Sequence, residues 1–396
     1  MGTTGNKQHV LALLGRREKS DRNHINGIVR FAEAHEEWDL RILNTDSDDL
    51  RRECRDALVG WRVDGMIFSS PKACRIALDA IGSGKRPRLV EIDFPSEGIT
   101  PDIRVCADNR LYARLAAELF LKRGIRHLAY FGQITKREAS HSICRRDAFL
   151  TEANKAGAVY SQFESIGHCG DWAAWSARLT KWIQSLPKPC GVFMFADEPA
   201  FDFYAACRHA NVSIPDQVSV IGVDNDLDIC ETITPTLTSI NPDFEEAGYI
   251  AATSLHSALG EPRRSPVRLI HYGCTGIVER SSTCDLSGFG RIVSKAQEII
   301  RTTTCRGLTV AELSRMTNVS PRMLEISFKK VLMRSPGAEI RRTRIDLAMK
   351  LLKTTDSPIG VVAEQSGYRT LTSAQIAFKN ETGLSMRAWR LAHRHV

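Results

Sequence analysis

The chain has 396 residues, of which 43% are hydrophobic and 7% aromatic, so it can form two or three globular domains with sizeable cores. No apolar stretch approaches 18 residues, which argues against a transmembrane helix. The 11 cysteines include no C-x-x-C pair, which argues against a disulfide framework and against a zinc site of common spacing. The net charge of +8 is uneven, because residues 288–396 hold 19 Lys and Arg against 8 Asp and Glu, whereas the rest holds 35 against 38.

The first predicted element is a strand over residues 10–14. This apolar run is too short for the hydrophobic region of a signal peptide, and no small-residue cleavage site follows it. We therefore expect a cytoplasmic protein that has no membrane partner. Cysteines such as Cys106 and Cys190 lie in apolar, strand-like sequence, so we expect buried thiols in a reducing compartment.

Short apolar runs alternate with amphipathic helices from about residue 9 to residue 285. Strands are predicted at residues 10–14, 40–43, 65–68, 88–92, 104–107, 127–131, 191–195 and 218–223. Helices are predicted at residues 23–35, 109–122, 143–156 and 198–210. This alternation predicts βαβ units and a parallel sheet.

Ligands of open parallel sheets bind beyond the carboxyl ends of the strands. Polar residues that directly follow the predicted strands are therefore the candidates for a binding site. Asp224 and Asp197 each follow a strand, while Arg16 and Asp21 follow the first strand. Asp108 also qualifies, although it can instead serve only as the cap of the helix at 109–122.

A change of pattern marks the second half of the chain. Residues 284–290 are small and polar with two glycines, and helical periodicity runs from Ile292 almost to the end. The sequence therefore predicts a first domain at residues 1–283, a linker at 284–290 and an all-α domain at 291–396.

The sequence of the all-α domain predicts two helix-turn-helix units in tandem. Their first helices start near Thr309 and Ser357, their turns lie at residues 318–319 and 367–368, and Phe328 and Phe378 occupy corresponding positions. We expect Asn318 and Gly367 to adopt positive φ. Thr309-x-x-Glu312 predicts a capping box, and Ser357-Pro358 predicts an N-cap followed by proline.

The second helix of each unit is the predicted recognition helix, because such a helix enters the major groove of DNA. Leu324, Phe328 and Phe378 should face the core, which turns their neighbours outward. The expected DNA-binding residues are Arg322, Glu325, Ile326 and Lys329 in the first unit, and Thr372, Gln375, Ile376 and Lys379 in the second. The basic run Arg341-Arg342-x-Arg344 either contacts phosphates or forms a solvated face. The excess positive charge of this domain fits binding to a phosphate backbone.

Residues 291–391 resemble the AraC family of bacterial transcription regulators. The motifs that support this are the unit at 308–330, the helix Arg344-Ile345-Asp346-x-Ala348-x-x-Leu351-Leu352 and the ending Gly367-Tyr368…Phe378-Lys379-x-Glu381-Thr382-Gly383-Leu384-Ser385…Trp389-Arg390. Members often carry an arginine facing the groove where this chain has Ile326 and Ile376. Isoleucine cannot hydrogen-bond a base edge, but it can contact a thymine methyl group.

Residues 8–283 resemble the sugar-binding domain of LacI-type regulators and periplasmic binding proteins. The clearest motif is Ile214-Pro215-x-x-Val218-Ser219-Val220-Ile221-Gly222-Val223-Asp224-Asn225, with further matches at residues 107–109, 124–132, 196–197 and 235–240. A sensor of this type before an AraC-type DNA-binding domain resembles the xylose-regulator (XylR) branch of the AraC family. Trp38-Asp39 and residues 182–187 are shared with that branch.

The resemblance implies the fold class and the ligand site. It implies an α/β two-lobed sensor with parallel sheets, followed by an all-α domain with two helix-turn-helix motifs, and a ligand held between the lobes. Asp224 would accept hydrogen bonds from sugar hydroxyls, Arg145 would donate them, and Asp108 and Asp197 would contribute from opposite lobes. Two alternatives stay open, namely that Arg146 is the inward arginine and that Asp197 is structural.

The function predicted from both resemblances is a ligand-responsive transcription regulator, an activator of carbohydrate catabolism genes that senses a xylose-like pentose. The expected partners are double-stranded DNA, a sugar effector and a second copy of the chain, with RNA polymerase as a further candidate. No cofactor and no metal are expected. The alternative is a sugar-acting enzyme or a sugar carrier with a basic carboxyl-terminal module, but no nucleophile motif, metal spacing or phosphate loop is present.

Overall fold

The computed structural model describes residues 7–82, 86–93, 98–134, 139–166, 171–263, 266–284, 288–304 and 307–393. It divides into two compact units, one formed by residues 1–233 with 237–280 and the other by residues 234–236 with 281–396. Residues 285–287 of the predicted linker lie outside the described residues, and a helix begins at Gly288, inside that linker. The predicted boundaries at residues 283 and 291 stay a prediction.

The first unit contains two six-stranded sheets among its described residues. Its strands are β1 (Gln8–Leu14), β2 (Trp38–Asn44), β3 (Gly65–Phe68), β4 (Arg88–Ile92), β5 (Ile103–Ala107), β6 (His127–Ile134), β7 (Val159–Ile166), β8 (Cys190–Met194), β9 (Val218–Val223), β10 (Thr238–Pro242), β11 (Arg268–Tyr272) and β12 (Cys274–Val278). The first lobe has the order β11-β5-β4-β3-β1-β2, and the second has β12-β10-β9-β8-β6-β7. The β10–β12 pair is antiparallel and every other described pair is parallel.

Helices cover these sheets, so the central strands are buried and apolar, as the short apolar runs predicted. The described helices of this unit are α1 (Lys19–Glu33), α2 (Leu50–Leu58), α3 (Pro71–Ile81), α4 (Asn109–Lys122), α5 (Ala139–Lys155), α6 (Trp172–Ser185), α7 (Ala200–His209), α8 (Leu227–Cys230) and α9 (Phe244–Leu259). Four strands were not predicted from the sequence, namely β10, β11, β12 and β7. Strand β7 shows one reason. It is an edge strand that begins with Val159, which is 53% exposed, so it lacks the continuous apolar run of a central strand. Cys106 and Cys190 are free, buried thiols, as expected.

The chain crosses between the lobes three times, after β5, after β10 and between β11 and β12. Helix α4 packs in the second lobe after the first crossing, and α9 packs on α1 in the first lobe after the second crossing. The three crossings are joined at one carbonyl, because the Gly273 oxygen accepts from the Tyr112 hydroxyl (3.0 Å) and from the Asp243 backbone N–H (3.2 Å). The Asp108 N–H adds a bond to the Tyr272 oxygen at 2.9 Å.

The second unit is helical throughout its described elements. They are the short 3₁₀ turn Ser281–Thr283 and helices α10 (Gly288–Thr303), α11 (Val310–Thr317), α12 (Pro321–Leu332), α13 (Pro336–Thr354), α14 (Ile359–Gln365), α15 (Leu371–Thr382) and α16 (Met386–His393). One apolar core forms around Leu324 and Phe328, and a second around Ala374 and Phe378, with α13 contributing to both. None of the described helices is long and apolar enough to cross a membrane.

The helix ends match three of the four predictions. Asn318 and Gly367 have φ of 57° and 82°, and Thr309 with Glu312 forms the capping box. The prediction for Ser357 was wrong, because α14 is preceded by Pro358 as its N-cap and has no side-chain cap. The Ser357 carbonyl instead accepts a hydrogen bond from Arg390 at 2.7 Å.

Candidate functional site

A tight turn follows β9 in the second lobe and presents Asp224. Asp224 and Asn225 both have positive φ, at 107° and 48°, which is uncommon for residues other than glycine and costs conformational energy. The turn is held by the Ser239 hydroxyl, which accepts from the Asn225 N–H (3.0 Å), and by Arg280, which donates to the Asn225 side chain (2.8 Å). The surrounding structure therefore fixes a costly backbone at the position predicted to bind ligand.

Asp197 lies directly behind this turn and is fully buried. Its carboxylate accepts from the Ser239 hydroxyl (2.7 Å), the Asp226 N–H (2.9 Å) and the Cys230 thiol (3.2 Å). Burial raises the pKa of Asp197 to about 7, against the lowering effect of these hydrogen bonds. These contacts support the turn, as the structural alternative for Asp197 predicts, and its role as a ligand residue stays a prediction.

Arg145 is the inward arginine of α5. It is 5% exposed, its Nε donates to the Asn109 side-chain oxygen at 2.9 Å, and its Nη1 donates to the Phe195 carbonyl. Its guanidinium also lies 5.4 Å from the ring centre of Tyr112 and 4.9 Å from that of Phe195. Arg146 points elsewhere, since it pairs with Glu164 at 2.7 Å.

The first lobe contributes a carboxylate that the sequence interpretation did not select. Asp93 directly follows β4, has φ of 67° and accepts from the Tyr272 hydroxyl at 2.7 Å. Its other oxygen lies 3.7 Å from His24 Nε2. The rule that candidates directly follow strands applied to Asp93 as well as to Asp224, so this residue could have been found.

Asp224, Asp93 and Arg145 share one electrostatic environment across the two lobes. Burial raises the pKa of Asp224 well above its ordinary value, and the charges of Asp197 and Asp93 raise it further. The positive charges of Arg145 and Lys19 oppose that rise. The charges of Asp93 and Arg145 therefore both act on the Asp224 carboxyl group at the strand ends.

The other predicted ligand residues have different surroundings. Asp108 caps α4 by accepting from the N–H groups of Arg110 (3.1 Å) and Leu111 (3.0 Å). Asp21 is buried and accepts from the Gly15 N–H at 2.7 Å. Burial raises the pKa of Asp21, but the partner His24 and the hydrogen bonds lower it more, so the net shift is downward.

Arg16 lies on the surface at the end of β1. Its side chain is exposed, and its backbone N–H donates to Asp46 at 2.6 Å. The structure therefore places Asp224 in a turn that Asp197 supports, with the charge of Arg145 acting on the Asp224 carboxyl group. It leaves Asp108, Asp21 and Arg16 as predictions without a direct contact to that group.

The recognition helix of the first helix-turn-helix unit is α12. Its N-cap is Ser320, followed by Pro321, and its buried face contains Leu324, Ser327 and Phe328. The four predicted DNA-binding residues of this helix, Arg322, Glu325, Ile326 and Lys329, are all exposed. A continuous outward face is therefore available to contact base edges.

The recognition helix of the second unit is α15, capped by Thr370. Ala374 and Phe378 are buried, and Phe378 packs edge-on against Trp389 at 6.1 Å between ring centres. Its predicted DNA-binding residues, Thr372, Gln375, Ile376 and Lys379, are exposed. The two isoleucines at the usual arginine positions, Ile326 and Ile376, are 37% and 58% exposed.

Arg344 joins the two helix-turn-helix units instead of facing solvent with Arg341 and Arg342. It donates to the Leu308 carbonyl at 2.8 Å and lies 5.5 Å from the ring centre of Tyr368. Desolvation by burial lowers its pKa. The turn at Gly367 approaches the end of α10 so closely that a Cβ there would lie 2.0 Å from the Thr304 oxygen.

Comparison with known proteins finds matches in both units of the chain. Residues 117–283 match the family model of a periplasmic binding protein-like domain, and residues 313–392 match that of a helix-turn-helix domain. The xylose operon regulatory protein of Escherichia coli (strain K12) is 26% identical over 395 residues, which cover 97% of each chain. That of Haemophilus influenzae is 26% identical over 381 residues, covering 94% of this chain and 95% of its own.

A solved structure of the xylose-binding transcription activator xylR covers 98% of this chain and 99% of its own, with a TM-score of 0.61 and 22% identity. That likeness confirms the predicted fold class of a two-lobed α/β unit followed by a helical one. The resemblance to AraC-family regulators of the xylose-regulator type is also confirmed. These relatives are operon regulatory proteins, and the helix-turn-helix domain model matches the carboxyl-terminal part of this chain.

Proposed function

We propose that this chain, a DNA-binding transcription regulator similar to the xylose-regulator type over nearly its whole length, responds to a small sugar held between the lobes of its first unit. The observation that supports this most is that Asp93 and Asp224 occupy turns after strands of different lobes, while a hydrogen bond of 2.8 Å from Lys19 of the first lobe to the Asp224 carbonyl joins the lobes there. The default effector is a xylose-like pentose, since xylose is named for the relatives.

The chemistry of this group suits a polyol. Each carboxylate accepts hydrogen bonds from two hydroxyl groups, and charge makes these bonds strong in a desolvated site. The fixed guanidinium of Arg145 donates in the same plane to a hydroxyl or a ring oxygen. The rings of Tyr112 and Phe195, which already pack on Arg145, supply apolar area for the faces of a sugar ring.

The output of the regulator is binding to double-stranded DNA through α12 and α15. Sugar binding changes the relative free energies of at least two arrangements of the protein, and DNA binding responds because its affinity differs between them. We further propose that it acts as a cytoplasmic homodimer and activates carbohydrate catabolism genes by contacting RNA polymerase. Sedimentation with and without sugar tests the dimer, and transcription from the adjacent promoter tests activation.

The ligand test starts with calorimetric titration of the full-length protein with D-xylose, other pentoses, hexoses and sugar acids. Asp224→Asn should weaken the binding of the best sugar about 10- to 100-fold, because it removes charge from hydrogen bonds worth about 1.5–3 kcal/mol each. The matched control is Asp228→Asn, an exposed carboxyl group four residues away. Equal affinity in the two variants would reject the assignment of Asp224.

The DNA test is a gel shift with the DNA upstream of the neighbouring operon. A specific complex should form at moderate salt, and its affinity should change when the best sugar is added. Asp224→Asn should bind the same DNA but lose the sugar response. If no specific complex forms, with or without any of the sugars tested, the proposed function as a DNA-binding regulator is wrong.

A further inference from the structure

Lys19 lies at an unusual position for a lysine. It is the first residue of α1 in the first lobe, where the partial positive charge of the helix end disfavours a cation. Among the described ion pairs, none joins it to Asp21 or Glu33 of its own helix, and its ammonium hydrogen-bonds to residues of the second lobe. The positive charge of Lys19 therefore interacts unfavourably with the amino-terminal end of its own helix.

The Lys19 ammonium reaches the turn that presents Asp224 in the second lobe. Its Nζ donates to the backbone oxygens of Asp224 and Asn225, both at 2.8 Å, and lies 3.5 Å from the Asn241 side-chain oxygen. An ammonium has three donors, and these three acceptors use all of them. Two of the acceptors belong to the residues with positive φ, so this lysine binds the costliest part of the turn.

The turn has other supports, but all of them belong to the second lobe or to the segment that returns to it. Ser239 and Arg280 hold Asn225, and Asp197 holds the Asp226 N–H. Among these contacts Lys19 alone comes from the first lobe. The carbonyl oxygens of Asp224 and Asn225 thus keep their hydrogen-bonded partner only while the two lobes are together.

We propose that Lys19 is a positioning residue that links lobe closure to the orientation of Asp224. In the closed arrangement the ammonium stabilises the strained turn and the site is complete. When the lobes separate, the two carbonyls lose this charged donor and the carboxylate is no longer held in place. This inference rests on the proposed function, because it assigns Lys19 a role through the ligand-binding residue Asp224.

The first experiment needs no ligand. Donor and acceptor dyes are placed on unnatural amino acids that replace Arg55 in α2 of the first lobe and Arg208 in α7 of the second, both exposed. Lys19→Met keeps the length of the side chain but removes the ammonium, so it should shift the distance distribution of the full-length protein to longer values. The matched control is Lys72→Met, an exposed lysine of α3, which should leave the distribution unchanged.

The second experiment measures sugar affinity by calorimetry, with D-xylose and the other pentoses as probes. Lys19→Met should weaken binding about tenfold, because one to two charged hydrogen bonds no longer favour closure. An unchanged distance distribution in Lys19→Met overturns the inference, even if its melting temperature falls, since lost stability alone would not separate the lobes. If no sugar binds the parent protein, the proposed effector fails, while the distance measurement still decides the role of Lys19.

Discussion

The polar residues of the two-lobed unit and those of the recognition helices occupy opposite environments. Asp197 is fully buried and has three hydrogen-bond donors, and Arg145 is fixed by a side-chain amide, a carbonyl and two rings. Ile326, Ile376 and the polar residues beside them are exposed on single helices. The first group is positioned by residues distant in the chain, and the second by helical periodicity alone.

This difference separates the two kinds of substitution. A change in the buried group leaves donors or acceptors without partners, so its main effect is on stability. A change on the outward face of a recognition helix leaves the fold intact, so its main effect is on DNA binding. Measurements of stability and of DNA affinity for variants of both kinds test this division.

The largest effect is expected for Gly367→Ala, a change in the second unit that should act on stability. The residue has φ of 82°, and an added Cβ would lie 2.0 Å from the Thr304 backbone oxygen. Left-handed strain and overpacking together should lower the free energy of unfolding of this unit by about 3 kcal/mol. Gly383→Ala is the control, because its φ is 74° but nothing lies within 4 Å, so about 1 kcal/mol is expected. Equal losses of stability by chemical denaturation would show that the close approach to Thr304 has no effect.

Asp197→Ala should destabilise the first unit by about 2–3 kcal/mol, because three buried donors lose their acceptor. Asp228→Ala, at an exposed position, should change stability by less than about 0.5 kcal/mol. Denaturation followed by fluorescence measures both. A similar stability of the two variants would contradict the structural role of Asp197.

Asp197 also predicts a pH dependence of stability. Because burial raises its pKa from 3.8 to about 7, the folded unit keeps a proton that the unfolded chain releases. The stability that the folded unit gains from holding this proton is fully present below pH 3.8 and is lost as the pH rises through about 7. Asp197→Asn should therefore lose less stability than the parent between pH 5 and pH 8. An identical slope in both proteins would contradict the raised pKa.

Arg322→Ala should weaken DNA binding about tenfold without changing the melting temperature, since its exposed side chain can bind a base edge or a phosphate. Affinity for the natural site and for unrelated DNA, each at two salt concentrations, distinguishes these contacts. A loss confined to the natural site indicates base contact, and a uniform loss indicates phosphate contact. Unchanged affinity for both DNAs would exclude Arg322 from the interface.

Ile376→Ala should have the smallest effect, a loss of about threefold in affinity for the natural site only. An isoleucine that contacts a thymine methyl loses apolar contact area but no hydrogen bond. Replacement of the thymines by uracil in the DNA should then reduce binding by the parent but not by Ile376→Ala. If uracil weakens both proteins equally, Ile376 does not contact a thymine methyl group.

The sequence predicted most of the fold. It predicted the DNA-binding faces more completely than the ligand-binding residues. The outward faces of α12 and α15 followed from the buried positions of Phe328 and Phe378, because one helix determines which side chains share a face. Most central strands followed from apolar runs, but the central strand β10, which contains Thr238 and Ser239, and the edge strand β7 lack that pattern. Asp93 met the same strand-end rule as Asp224 and could have been selected, but no local pattern shows that the two residues face each other when the lobes meet.

The junction at the Gly273 carbonyl has a mechanical consequence. Two lobes joined by a single segment could twist, slide and separate independently, whereas three segments bound to one another remove most of these degrees of freedom. We expect the remaining motion to be a hinge rotation about one axis through the crossings. A ligand of almost any shape would then produce the same kind of movement, and the difference between effectors would lie in how far the lobes rotate.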